Sequence, residues 1–357
     1  LSESDPPGWA PGGTRPRDDS RAAPLAAILG CAGPHLTDEE RALFSANDPL
    51  GFILFRRNVD TPAQVAALVA EMRALVGRPD APVLIDQEGG RVCRLSPPHW
   101  RAAPPQGVFE PLYQHDPTLA REAVRLNVRL IAAELVALGI DVDCLPLLDV
   151  PVADGHDIIG DRAYGPDPAT VADLGRVCAD ALAESGVLPV IKHLPGHGRA
   201  RADSHHALPV VDTPRATLEA TDFAPFRALA DAPLGMTAHV VYTAIDPDLP
   251  ATLSPAVIGE VIREHIGFDG LLLTDDLSMK ALNGDFAARA RHSLDAGCDI
   301  VLHCNGDLTE MRAVLEGCRP MDAAALARWE RARAARRSPA PFDATTAENR
   351  LREILPA

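Results

Sequence analysis

From Leu25 onward, short apolar runs alternate with longer stretches whose apolar residues recur at spacings of three and four. A brief continuous run suits a strand buried on both faces, and the wider spacing suits one stripe of a helix. Read this way, the chain offers eight strands: Leu25 to Cys31, Gly51 to Phe55, Pro82 to Ile85, Ile140 to Leu147, Val187 to Ile191, Leu234 to His239, Gly270 to Leu273 and Asp299 to His303. Between them the helical spacing covers Thr61 to Leu75, Leu119 to Leu138, Ala169 to Glu184, Leu218 to Ala230, Pro255 to His265 and Phe286 to Ala296. The first connection is shorter, His35 to Phe44, with a Thr cap near its start. Strict alternation of strand and helix predicts a parallel sheet joined by crossover helices. Eight such units in about 310 residues fit a single (β/α)8 TIM-type barrel. An open doubly wound sheet is the competing architecture, but no Gly-rich dinucleotide fingerprint follows the first strand and no P-loop occurs.

Residues 1–24 are rich in proline, glycine and charge and poor in large apolar groups, so a disordered tail is expected there. The barrel is expected over 25–338, followed by a C-terminal segment, 339–357, packed on or trailing it. With 46% hydrophobic and 24% charged residues in 357, the chain can bury a large core. A net charge of −16, from 34 Lys plus Arg against 50 Asp plus Glu, argues against nucleic-acid or anionic-membrane partners. The seven cysteines are an odd, scattered set without a C-x-x-C pair, which reads as a reduced, cytoplasmic protein. No apolar stretch approaches the length needed to span a bilayer, and Leu1 to Asp19 lacks the apolar core of a signal peptide.

In a barrel of this kind, loops at the C-terminal strand ends build the active site. Several apolar runs end in polar groups there: Asp86-Gln87-Glu88-Gly89-Gly90-Arg91 after the third, Lys192-His193 after the fifth, His239 after the sixth and Thr274-Asp275-Asp276 after the seventh. Singly, each reads equally well as a solvated charge or a helix cap. Together they converge on one face, where burying so many charges is costly unless they pair or meet a hydroxyl-rich ligand. The loop from Lys192 to His206 holds four of the twelve histidines, and with Gly196, Gly198 and little apolar anchorage it is expected to be mobile. Within it, Asp203 stands two positions before His205, a spacing that lets a carboxylate fix the tautomer of an imidazole left free to exchange a proton.

The segments Ile85 to Val92 (IDQEGGRV), Lys192 to Gly198 with Asp203-Ser204-His205, and Thr274 to Met279 (TDDLSM) resemble the signatures of glycoside hydrolase family 3, and in particular its single-domain β-N-acetylglucosaminidase branch. The likeness extends from Ala26 to Leu308 and takes in Gly51 to Asn58 and Ala238 to Tyr242. It implies Asp275 as nucleophile, His205 as general acid/base with Asp203 as its partner, and Asp86, Arg94, Arg162, Lys192 and His193 as sugar-binding residues. No metal and no cofactor are implied. Departures are local: Arg162 lies in Asp-Arg-Ala-Tyr-Gly where relatives carry Arg-Ser-Phe or Arg-Ser-Tyr, Leu194 replaces Phe, and Cys93 replaces Gln. The Arg162 assignment is the one these changes touch.

Retaining glycoside cleavage needs a group that attacks the anomeric carbon and a second that protonates the departing oxygen and later activates water. Imidazole, with an unperturbed pKa of about 6.5, can fill the second role near neutral pH. Should His205 not serve, Glu88 is the first carboxylate to consider. Family members acting on plain glucosides carry a second domain that supplies an acidic group, and the chain is too short for one after its barrel. The resemblance therefore implies a β-N-acetylhexosaminidase acting on small cell-wall fragments such as N-acetylglucosaminyl-anhydro-N-acetylmuramic acid, with or without peptide, as a monomer. The competing readings are a zinc hydrolase using His193, His197, His205, His206, His239 and Asp275, a phosphorylase with the same covalent intermediate, and a catalytically dead sugar binder. The first lacks the paired histidines that a metal-dependent amidohydrolase carries on its first strand.

Overall fold

The computed structural model describes residues 22–204 and 207–355. Eight parallel strands close in chain order: β1 Leu25–Leu29, β2 Pro49–Leu54, β3 Val83–Ile85, β4 Val142–Asp143, β5 Leu188–Leu194, β6 Leu234–Thr237, β7 Leu271–Asp276 and β8 Ile300–His303. Closure is made by β8 beside β1, where Ala27 pairs with Val301 and Leu29 with His303. The closed barrel removes the open doubly wound alternative. Residues of β2, β5, β6 and β8 are buried along their whole length, which is why each reads as an unbroken run in the sequence.

Polar residues at helix starts fix where each connection turns. Thr37 opens the helix Asp38–Asn47 with a capping box, its side chain accepting from the Glu40 N–H while the Glu40 carboxylate accepts from Thr37 N–H. Thr61, Asp116 and Asp167 each cap a helix whose next residue is proline: Pro62–Leu75, Pro117–Ala137 and Pro168–Glu184. Proline at that first position loses no hydrogen bond, and each cap is worth about 1 kcal/mol.

Two elements depart from the expected pattern. The fourth strand is far shorter than Ile140 to Leu147: only Val142–Asp143 pairs regularly, and Leu147 rejoins through a single bridge to Lys192. Pro146 has no N–H to give the ladder, so the apolar run outlasts the strand. The stretch Leu218 to Ala230 is two short helices, Arg215–Ala220 and Ala224–Ala228, broken around Asp222, with Pro225 in the first turn of the second. Helices Leu308–Gly317, Ala323–Ala335 and Ala344–Ile354 complete the outer layer, the last burying Ala347 and Leu351 and packing against Pro117–Ala137. The expected tail lies almost wholly outside the described residues. Among those described, no helix is long and apolar enough to cross a membrane.

Candidate active site

At the C-terminal end of β3, a tight hairpin pairs Gln87–Gly89 with Val92–Cys93. Gly89 sits at φ +105 with a virtual Cβ only 2.1 Å from the Pro104 carbonyl oxygen, so no side chain fits there. Buried Gln87 staples the returning chain: its Oε1 accepts from the N–H groups of Arg94 (2.9 Å) and Leu95 (3.0 Å), and its Nε2 donates to the Leu95 carbonyl (2.9 Å). That folding brings Arg94 back to donate to Asp86 Oδ2 at 2.8 Å, with its guanidinium 5.0 Å from the Phe55 ring centre.

Lys192, on β5 and 2% exposed, joins this pair to a second. Its ammonium lies 2.9 Å from Asp86 Oδ1 and 2.6 Å from Glu88 Oε1. Glu88 in turn takes a bidentate pair from Arg162, with both N–H···O distances at 2.8 Å. Two carboxylates and three cations thus share one buried network. Burial alone would raise the pKa of both acids, but Lys192 and Arg94 hold Asp86 well below the usual carboxylate range, and Arg162 with Lys192 brings Glu88 down to about 2. Burial likewise opposes the charge on Lys192, and Asp86 and Glu88 overcome it, raising its pKa. Glu88 is therefore ionised and fully occupied, and is no candidate for a proton donor near neutral pH.

A second cluster stands beside the first. Asp149, fully buried after β4, accepts from the main-chain N–H groups of His193 (3.2 Å) and His197 (2.6 Å), and its Oδ2 lies 2.7 Å from His193 Nδ1. Buried His239, just past β6, is held by Thr252 Oγ1 at 2.7 Å and by the Asp276 carbonyl at 3.0 Å. At the end of β7 the two neighbouring acids differ in kind. Asp276 spends its Oδ1 on the N–H groups of Ser278 (2.9 Å) and Cys304 (3.0 Å) and its Oδ2 on the Ser278 hydroxyl (2.5 Å), tying the loop after β7 to the end of β8. Asp275 is half-buried and accepts the Asp276 N–H at 2.8 Å; burial lowers the pKa of both His197 and His239, and the Asp275 charge nearby partly opposes that shift.

The structure therefore gathers Asp86, Arg94, Arg162 and Lys192 into one network, places His193 next to it through Asp149, and sets Asp275 on the same barrel face. Asp203 is half-buried in the loop after β5. His205 lies outside the described residues. Sequence reading missed Glu88 as the partner that orients Arg162 and Lys192, and Asp149 as the partner that orients His193. Asp149 follows an apolar run in Leu147-Leu148-Asp149, the same signal that singled out Asp86 and Asp275.

Residues 23–327 match the model of the glycosyl hydrolase family 3 N terminal domain. The chain belongs to glycoside hydrolase family 3. Among curated relatives, a β-hexosaminidase of Alkalilimnicola ehrlichii is 42% identical over 78% of this chain and 80% of its own length, and one from Bordetella avium is 36% identical over 82% and 84%. Among solved structures, NagZ from Neisseria gonorrhoeae in complex with N-trifluoroacetyl-D-glucosamine superposes with a TM-score of 0.84 at 32% identity, covering 93% of this chain and 98% of that one. The chain is an enzyme of this β-hexosaminidase type.

Proposed function

We propose that the enzyme removes terminal β-1,4-linked N-acetylglucosamine from peptidoglycan turnover fragments in the cytoplasm, by a retaining mechanism with Asp275 as nucleophile and His205, partnered by Asp203, as acid/base. Asp275 attacks the anomeric carbon while His205 gives its proton to the departing oxygen. Water, giving a proton back to His205, then attacks the same carbon and frees Asp275. Asp86, Arg94, Arg162, Lys192 and His193 bind the sugar hydroxyls. Their fixed charges need no reorganisation as the transition state forms.

The observation that carries this reading is the division of labour at the end of β7. Asp276 is consumed by three structural hydrogen bonds that tie loops together, whereas Asp275 beside it accepts the Asp276 N–H and lies near the buried His197 and His239. The acylated glucosamine bound by the Neisseria protein supports a 2-acylamino sugar as the unit removed. A mechanism-based fluorosugar is expected to label Asp275; labelling of Asp276 would overturn the assignment. Aryl β-N-acetylglucosaminide should be cleaved far faster than aryl β-glucoside, and equal rates would remove the N-acetyl specificity.

A further inference from the structure

Across Arg201 to Ala207 the described residues are exposed or half-exposed, with one exception. Ser204 is 3% exposed. Its Oγ lies 3.2 Å from Nε2 of His197, itself 3% exposed, and its carbonyl accepts from the Ala281 N–H at 3.2 Å. One serine thus joins the start of its own loop to the segment that follows β7. His197 is in turn fixed from behind: its N–H donates to Asp149 at 2.6 Å, the carboxylate that also holds His193, and its ring meets that of His193 edge to face at 5.7 Å. Gly198 allows this close fold, since a Cβ there would lie 1.9 Å from the Val150 carbonyl oxygen. In sequence, Ser204 stands between Asp203 and His205.

We propose that the His197–Ser204 pair is a positioning clasp, which registers the loop bearing Asp203 and His205 against the β7 end bearing Asp275 without touching the reacting atoms. The proposal rests on the acid/base reading of His205 given above. A hydrogen bond between two buried side chains suits the task because breaking it leaves both groups unsatisfied, which restricts the loop to the clasped register. Burial first, and the neighbouring His193 next, bring the His197 pKa down to about 4, so the ring is neutral at working pH and adds no charge beside Ser204. His197 is then a spacer and hydrogen-bonding partner, not a second acid.

The test compares kcat/KM, which reports bond cleavage up to formation of the intermediate, on a disaccharide and on an activated aryl N-acetylglucosaminide. Ser204→Ala should lose about tenfold on the disaccharide and less than about threefold on the activated substrate, because only the first needs a correctly placed proton donor. His197→Gln, whose amide reaches the position of Nε2, should recover most of what His197→Ala loses. In a His205→Ala background, Ser204→Ala should cost nothing further on the disaccharide, since residues acting as a unit are non-additive. Equal losses on both substrates, or a full extra loss in the double variant, would overturn the clasp. If His205→Ala alone shows no dependence on leaving group, the acid/base reading itself falls. If it shows that dependence and Ser204→Ala and His197→Ala do not, the reading stands and the clasp fails. Thermal melting of each variant separates these outcomes from simple unfolding.

Discussion

Lys192 stands on β5 and Asp203 in the loop that follows it, yet very different amounts of structure hold them. Lys192 lies within a fully buried strand and sits in a network where every cation meets a carboxylate within 2.9 Å. Asp203 lies in the stretch Arg201 to Ala207, whose one buried residue among those described is Ser204. The difference matches the two tasks proposed for them. A sugar pocket gains from charges that do not move, whereas a proton must be delivered to one bond and then taken from water at nearly the same place. Rigid strand ends serve the first, and a more exposed stretch of loop serves the second.

The largest effect should come where the two regions meet. Asp275→Ala is expected to lower kcat on the order of 10⁴-fold or more in a folded protein, because no other group can form the glycosyl-enzyme. Asp276→Asn should act instead through stability, since it weakens contacts to Ser278 and Cys304. Steady-state kinetics beside thermal melts would check this, and a reversed pattern would exchange the roles of the two acids. Next in size is the loop. His205→Ala should lose about 10²- to 10⁴-fold on disaccharides and far less on activated aryl glycosides, with azide restoring turnover of the latter. Uniform loss across substrates would make His205 a binding residue.

Much of this was legible in the sequence because the chemistry ends strands. Asp86, Lys192 and Asp275 each terminate an apolar run, so one-dimensional patterning locates them on the barrel's C-terminal face. The barrel was legible for the same reason, since strands covered on both sides leave continuous runs. Pairing was not. That Glu88 binds Arg162, 74 residues away, while its near neighbour Asp86 binds Arg94 follows from how the hairpin at Gly89 folds back, and no local pattern encodes it. The fourth strand was overread because Leu145, Leu147 and Leu148 are buried by packing around Pro146 without pairing as a ladder.

Stability against pH should separate the two regions. Glu88 has its pKa lowered from 4.5 to about 2, so the stability it contributes is present above pH 4.5 and is lost as pH falls toward 2. His197 is lowered from 6.5 to about 4; the unfolded chain takes up its proton first, and stability falls between those values as the solution acidifies. Denaturant midpoints measured against pH should therefore show a shallower limb between 6.5 and 4 in His197→Gln, and a shallower limb below 4.5 in Glu88→Gln. Glu88→Gln should also cost about 3 to 5 kcal/mol at neutral pH, because it leaves Arg162 buried without its carboxylate and Lys192 with Asp86 alone. Unchanged limbs in both variants would mean that neither region carries its charge state as described.

The smallest effect concerns what does not hold the loop. Arg201 donates to Asp154 at 2.5 Å, an ion pair that bridges the loop after β5 to the segment after β4 and could be taken for its anchor. Both side chains are about two-thirds exposed, at 69% and 66%. Water and salt screen such a pair, and fixing two long side chains costs entropy, so exposed pairs contribute only about 0 to 1 kcal/mol. Ser204, by contrast, is bonded where water does not compete. Arg201→Ala should therefore shift the melting free energy by less than about 1 kcal/mol and change disaccharide kcat/KM by under about threefold, with no added sensitivity to salt. A loss near tenfold that disappears at high salt in the wild type would show that the loop is held electrostatically from its rim, and would transfer the anchoring role from the buried serine to the exposed arginine.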